Sequence, residues 1–247
     1  MFGELYYFVM IIIILESSLD HRTRVAQLRK EKMRLHLMES ALELLCTTDC
    51  SHSLLINDFI TFAGVSRGTF YNYFLSTNDL FNDIIIQLSD EVLEIIEPLI
   101  RNNENPLSRI YIATDMYLKT VAKYPLWGNL LTNAGSRSTI RGKNISLNFT
   151  RDLKLAIEKK LVVVEDIRVS RDIFLGSIYY SLETILSEKV DNNYINIVMN
   201  QILKNLGVSH DNIEYLTSLD TSLNIKISSS LFSILEKYKE INNSITH

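Results

Sequence analysis

Between Leu55 and Phe74 the chain carries two short apolar stripes of helical period, set apart by a tight turn: LINDFITFAGVSRGTFYNYF. Ile56, Phe59, Ile60 and Ala63 recur three and four residues apart, so they share one face of a short helix. Gly64 can take positive φ, and Val65 is apolar enough to plug the angle between two helices. Ser66 stands where an N-cap belongs, ahead of a second helix predicted from about Arg67 to Tyr73. Phe70 and Phe74, four apart, can both face a core. Two short helices joined by such a turn form a helix-turn-helix, and no other stretch restricts the fold as much.

The rest of the chain predicts an all-α protein. Eight Gly and three Pro in 247 residues are too few to punctuate a many-stranded sandwich or barrel. With 47% hydrophobic residues there is enough apolar content for a sizeable core, which excludes global disorder. Helical patterning runs over 30–46, 80–100, 107–122, 147–162, 173–186 and 195–206. Pro98, Pro106 and Pro125 read as breakers or first-turn prolines, and Gly207 as a C-terminal stop. Residues 208–247 read as one or two further short helices. The expected domains are 21–80, around the motif at 55–74, and a larger helical domain at 81–247.

The second motif helix carries the chemistry for reading a duplex. Gly68 permits close backbone approach, while Arg67, Thr69, Asn72 and Tyr73 are left off the core face. Arg67 suits guanine, Asn72 adenine, and Thr69 a base edge or thymine methyl. Ser66, Tyr71 and Tyr73 offer hydroxyls for phosphate oxygens. Ser66 to Tyr73 would span ~12 Å, about the width of a major groove. Arg22, Arg24, Arg29, Lys30, Lys32 and Arg34 face only Glu31 between residues 21 and 36, a basic arm on a chain of net charge −4. Such an arm fits a polyanion, and it also fits a solvated, frayed segment.

Residues 1–20 form an apolar extension set apart from the fold. Phe2–Leu15 would reach only ~22 Å as a helix, short of a ~30 Å hydrocarbon core, and its flanking Glu4 and Glu16 do not suit a signal peptide. An early start codon or a non-core extension is favoured over a membrane anchor, and no membrane partner is expected. Two cysteines cannot build a secreted disulfide framework, so a reducing cytoplasm is expected. Cys46, Cys50 and His52 lack the fourth ligand and the spacing of a zinc site; packing of Cys46 is the favoured reading, with a reversible disulfide as the minor one. No phosphate loop, dinucleotide turn, HExxH helix or GxSxG elbow occurs, so neither an enzyme nor a cofactor is expected.

AGVSRGTFYNYF followed by STNDLF resembles the DNA-binding domain of the TetR/AcrR family of transcriptional regulators. MRLHLMESALELL resembles that family's first helix, and RDLKLAIEKK and YINIVMNQILKNLGVS its later ones. The strong resemblance covers residues 33–81. It implies a DNA-facing set of Ser66, Arg67, Gly68, Thr69, Tyr71, Asn72 and Tyr73, to which the basic residues Arg29, Lys30, Lys32 and Arg34 are added from the charge pattern. Two departures are visible. Leu54 and Leu55 stand where the family has a phosphate-contacting Thr or Ser, with Ser53 as a substitute, and Leu75-Ser76-Thr77-Asn78 follows the recognition helix where Lys is common. Ser76 with Asp79 still reads as a cap for the linking helix.

The resemblance further implies a homodimer on a roughly palindromic double-stranded operator, with repression relieved by a small-molecule effector; activation is the alternative mode. The late helices at 173–186 and 195–206 would meet their symmetry mates, although core packing would leave the same apolar pattern. Aromatic residues of the larger domain suit an apolar or aromatic effector, and its negative charge also permits a cation. Tyr117, Trp127, Phe149 and Tyr179 are the candidate ligand contacts. The competing function is a helical interaction protein whose helix-turn-helix no longer binds DNA.

Overall fold

The computed structural model describes residues 2–48, 54–133, 143–221 and 227–245, and side chains over 21–48, 54–133, 144–221 and 227–239. Eleven helices and no strand occur among the described residues. They are α1 (Phe2–Thr47), α2 (Ile56–Phe62), α3 (Arg67–Tyr71), α4 (Thr77–Ile100), α5 (Pro106–Lys123), α6 (Pro125–Asn133), α7 (Lys143–Glu158), α8 (Ile167–Ser187), α9 (Tyr194–Asn205), α10 (His210–Thr217) and α11 (Ser230–Ile245). The protein is all-α. It divides into two compact units, Met1–Phe74 and Leu75–His247. The linking helix α4, placed across the expected boundary at 80, therefore belongs wholly to the second unit.

Helix ends fall where backbone chemistry puts them. After α2, Val65 N–H donates to Ile60 O and Gly64 N–H to Thr61 O, with Gly64 at φ 64°. After α9 the same pair of bonds runs from Val208 to Leu203 and from Gly207 to Lys204, with Gly207 at φ 69°. These are Schellman closures, which need a left-handed residue. A third follows α7, where Leu161 bonds Ala156 and Lys160 bonds Ile157; here the left-handed residue is Lys160, at φ 56°. Pro106 opens α5 behind the Asn105 cap, and Pro125 opens α6.

Three elements differ from the expectation. The helix predicted over 30–46 is the end of a 46-residue helix, since no Gly or Pro interrupts the chain from Glu4 to Thr47. The basic segment is thus a helical extension rather than a frayed arm. α6 lies outside the predicted helical segments; Pro125, which reads as a breaker or a first-turn proline, is its first residue. α3 is five residues long, ending two short of Tyr73, because Asn72 and Tyr73 tighten into i→i+3 bonds with Thr69 and Phe70.

In the first unit Leu37, Met38, Ala41 and Leu42 of α1 are buried together with Phe59, Ala63, Phe70 and Phe74. His36 Nε2 donates to the Ala63 carbonyl at 3.0 Å, fixing α1 to the turn. In the second unit α5 is buried on nearly every side, through Leu107, Ile110, Tyr111, Met116, Leu118 and Val121. A helix buried on so many sides is a central one, and α4, α6, α7, α8, α9 and α10 pack around it. α11 adds Phe232 edge-on to Trp127 and Tyr124, at 5.5 and 5.3 Å between ring centroids.

The left-handed positions give a stability test. A Cβ at Gly207 would lie 3.1 Å from the Val163 carbonyl oxygen on top of its left-handed strain, so Gly207→Ala should destabilise the second unit by about 1–2 kcal/mol. Lys160→Gly removes that strain and should stabilise it by about 0.5–1 kcal/mol in urea unfolding, net of the added chain entropy.

Candidate nucleic-acid interface and ligand cavity

The first unit presents a polar ridge built on an aromatic anchor. Phe70 has 0% of its surface exposed and lies 5.9 Å, between ring centroids, from the buried Phe74. Residues two positions to either side of Phe70 point the opposite way on a helix, and Gly68 and Asn72 are exposed. Arg67 and Tyr71 are exposed as well, Tyr71 standing edge-on to Phe70 with 47% of its surface free. Thr69 and Tyr73 are half-buried. Ser66 Oγ accepts the Thr69 N–H at 3.0 Å and pairs with Thr69 Oγ1 at 2.8 Å, so both hydroxyls are engaged in the helix cap. Of the seven expected contact residues five are exposed, and one of these, Ser66, has its oxygen engaged in the cap.

On α1, Arg22, Arg24, Arg29, Lys30 and Lys32 are exposed. Arg34 is half-buried, its guanidinium 5.8 Å from the centre of the Phe74 ring, where it helps to hold the anchor. At the start of α2 the Asp58 carboxylate accepts the Leu55 N–H at 2.7 Å, the returning half of a capping box, while Leu55 offers no side-chain oxygen for a cap or a phosphate contact. Ser53, Cys50 and His52 lie outside the described residues. Cys46 is half-buried, and burial together with the Glu43 charge pushes its thiol up to about 12, which keeps it protonated and unreactive. In the second unit Ser76 Oγ accepts the Asp79 N–H at 3.1 Å while the Asp79 carboxylate accepts the Leu75 N–H at 2.9 Å, so α4 opens on a reciprocal cap.

The second unit contains a cavity of about 50 Å³ walled by α4, α5, α7 and α8. That is several times the roughly 10–15 Å³ a water molecule needs. Most of its wall is aliphatic, from Leu93, Ile96, Ile100, Ile110, Ile145 and Ile178. Phe149 and Phe174 close one side as a face-to-face pair, 3.7 Å apart and within 7° of parallel. Tyr117 is fully buried at the wall, with its hydroxyl 3.1 Å from Ser89 Oγ. Burial and the nearby Asp90 charge raise its phenol well above the ordinary value, against a smaller lowering from Ser89. Asp90 itself is raised by burial, offset in part by a 2.9 Å bond from Asn144.

Charge enters at one end only. Arg109 and Asp152 are 8% and 3% exposed and joined through Nε at 3.0 Å and NH2 at 2.6 Å, both to Asp152 Oδ1. Arg151 adds Nε to the same oxygen at 3.0 Å and NH2 to Oδ2 at 3.0 Å, then reaches Glu97 at 2.8 Å. Two guanidiniums and two carboxylates thus balance. Their mutual bonds and the charge of the two carboxylates push the Arg151 guanidinium further above its ordinary value.

Tyr117 and Phe149, among the candidate ligand contacts, line this cavity. Trp127 does not: it is 0% exposed and held edge-on between Tyr117 at 5.8 Å and Phe232. Tyr179 borders a smaller neighbouring space and donates its hydroxyl to Thr132 O at 2.6 Å. Sequence reading missed Phe174 as a partner for Phe149, and it missed Arg109 and Asp152, which are 43 positions apart on different helices. The one available signal was an arginine set between Leu107 and Ile110 in an otherwise apolar stretch.

No protein-family model matches the chain, and no curated protein matches it in sequence. Solved structures match it by fold. RolR in complex with resorcinol superposes with a TM-score of 0.67 at 20% identity, covering 82% of this chain and 100% of RolR. A protein described as a TetR-family transcriptional regulator of Syntrophomonas wolfei gives 0.57 at 17% identity, over 73% and 98% of the two chains. A TetR-family transcription regulator of Marinobacter aquaeolei VT8 gives 0.52 at 14%, over 74% and 100%. The chain has the fold of TetR-family regulators.

Breaking one side of the buried pair should cost more than removing it. Arg109→Leu leaves Asp152 with a single guanidinium partner and should destabilise the second unit by on the order of 3 kcal/mol. The double variant Arg109→Leu/Asp152→Leu should recover part of that loss in the same unfolding measurement.

Proposed function

We propose that this chain, built on the TetR-regulator fold, is a sequence-specific DNA-binding transcriptional regulator, a repressor released by a small molecule. The observation that carries the reading is the presentation of Arg67, Gly68, Tyr71 and Asn72 on a helix whose other side is locked by Phe70. A buried aromatic anchor holds the polar set in one orientation, as groove readout requires. The exposed basic residues of α1 supply the sequence-independent attraction to phosphates.

The regulator acts as a homodimer, its two recognition helices entering successive major grooves of a roughly palindromic operator. Val169, Ile173 and Tyr180 on α8 and Ile197 on α9 support this, because four large apolar side chains stay about half exposed or more on the two late helices. Single exposed apolar residues are ordinary, whereas a stripe of them is a candidate interface.

The effector occupies the cavity beside Tyr117 and Phe149. RolR binds resorcinol, and the same chemistry fits here. Glu97, Asp152, Arg109 and Arg151 already cancel, so a charged ligand would bury a charge with no counterpart. Asp152 Oδ2 accepts one bond against three at Oδ1, which leaves it open to a hydroxyl donor. An uncharged, hydroxylated single ring is the ligand class. α4 is tied to the cavity walls by Ser89–Tyr117, Asp90–Asn144 and Glu97–Arg151, and it begins three residues after Phe74 in the chain. A ligand that favours one setting of those ties shifts the population of DNA-binding states by its differential affinity, often ~1–3 kcal/mol.

A gel shift on the DNA upstream of the chain's own gene tests the reading. Arg67→Ala should weaken specific binding by about 1–3 kcal/mol and change binding to random DNA much less. Deleting residues 1–32 should flatten the salt dependence of binding. Wild-type protein that retards no duplex would make the helix-turn-helix an interaction surface instead.

A further inference from the structure

The cavity does not end at Tyr117. Tyr117, Ile145 and Ile178 line both the main cavity and a second space of about 10 Å³ on their far side. The new walls there are Leu131, Leu175 and Leu182. The polar groups at its border are satisfied internally: Tyr179 donates its hydroxyl to Thr132 O at 2.6 Å, and Thr132 Oγ1 donates to Gly128 O at 3.2 Å. A space of this size is at the limit for one water, and with both hydroxyl protons already committed it offers acceptors only, so its leucine-lined interior suits hydrocarbon better than water.

We propose that the effector is a hydroxylated ring bearing a short apolar side chain, the ring in the main cavity and the chain in this second space. The inference rests on the reading of the main cavity as the effector site. Of the three partition residues, Tyr117 is fixed by Ser89 and by its edge contact with Trp127. The chain passes on the side of Ile145 and Ile178, whose aliphatic side chains can change rotamer without losing a hydrogen bond. The two spaces divide the recognition. The charged network at the far end of the main cavity takes the hydroxyl, and the leucine-walled space takes the tail, so neither a bare ring nor a simple hydrocarbon fills both. The room beyond the partition sets the tail at one or two carbons.

Calorimetric titration of the full chain with resorcinol and its methyl, ethyl, propyl and pentyl homologues tests this. The first two carbons should each tighten binding by about fourfold, the worth of a buried methylene, and pentyl should lose that gain. In Leu182→Phe, where the added ring fills the second space, the series should be flat. Resorcinol binding with no gain along the wild-type series overturns the proposal and leaves the cavity reading standing. Failure of resorcinol and every homologue to bind overturns both. A gain that persists in Leu182→Phe also overturns it, since the tail would then lie elsewhere. Should that variant not fold, the wild-type series decides alone.

Discussion

The burial of Phe70 is the constraint on which the first unit depends. A five-residue helix has too few internal hydrogen bonds to hold itself in water, so α3 persists through its anchor and its caps. Phe70 and Phe74 supply the anchor, Ser66 closes the N-terminal end, and the Schellman closure at Gly64 sets the angle of approach. Once the aromatic side is fixed inward, helical geometry leaves Gly68 and Asn72 no direction but outward. The outward polar face is therefore a consequence of core packing. Arg34 joins the two, since it belongs to the basic series by sequence and to the anchor by its position over the Phe74 ring.

The second unit turns on a different balance. A helix as thoroughly buried as α5 leaves little tolerance for charge, yet Arg109 lies in it. The charge is tolerable because Asp152 accepts two of its N–H groups and the Asn103 carbonyl accepts a third at 2.6 Å. This polar corner against an aliphatic and aromatic wall gives the cavity two unlike ends, the usual design of a small-molecule site. Trp127 illustrates the opposite outcome. The tail of the chain returns through α11 to place Phe232 against it, and a residue so enclosed is core.

Much of this was legible in the sequence because it is local. The turn glycines, the Ser66 and Ser76 caps, the inward pair Phe70 and Phe74 and the all-helical class each follow from residues within a few positions of one another. The helix α6 was missed because Pro125 reads equally as a stop and as a start, and only packing of Trp127 and Leu131 decides between them. The cavity was half legible. Aromatic content pointed to Tyr117 and Phe149, but no spacing rule brings Phe174 or Asp152 to them from other helices. Tyr179 and Trp127 differ from those two only in tertiary surroundings, which a single sequence does not encode locally. The shortness of α3 also escaped, since its last residues tighten into i→i+3 bonds that periodicity does not reveal.

The central claim is that an outward polar face on α3 reads a duplex. Selection of genomic DNA fragments on the purified chain, followed by sequencing of the bound pool, tests it most directly. The account predicts an enriched two-fold symmetric motif, its half-sites about one helical turn apart, that disappears when Arg67, Tyr71 and Asn72 are all replaced by alanine. A bound pool with no common motif, or one unchanged by that triple replacement, would contradict it.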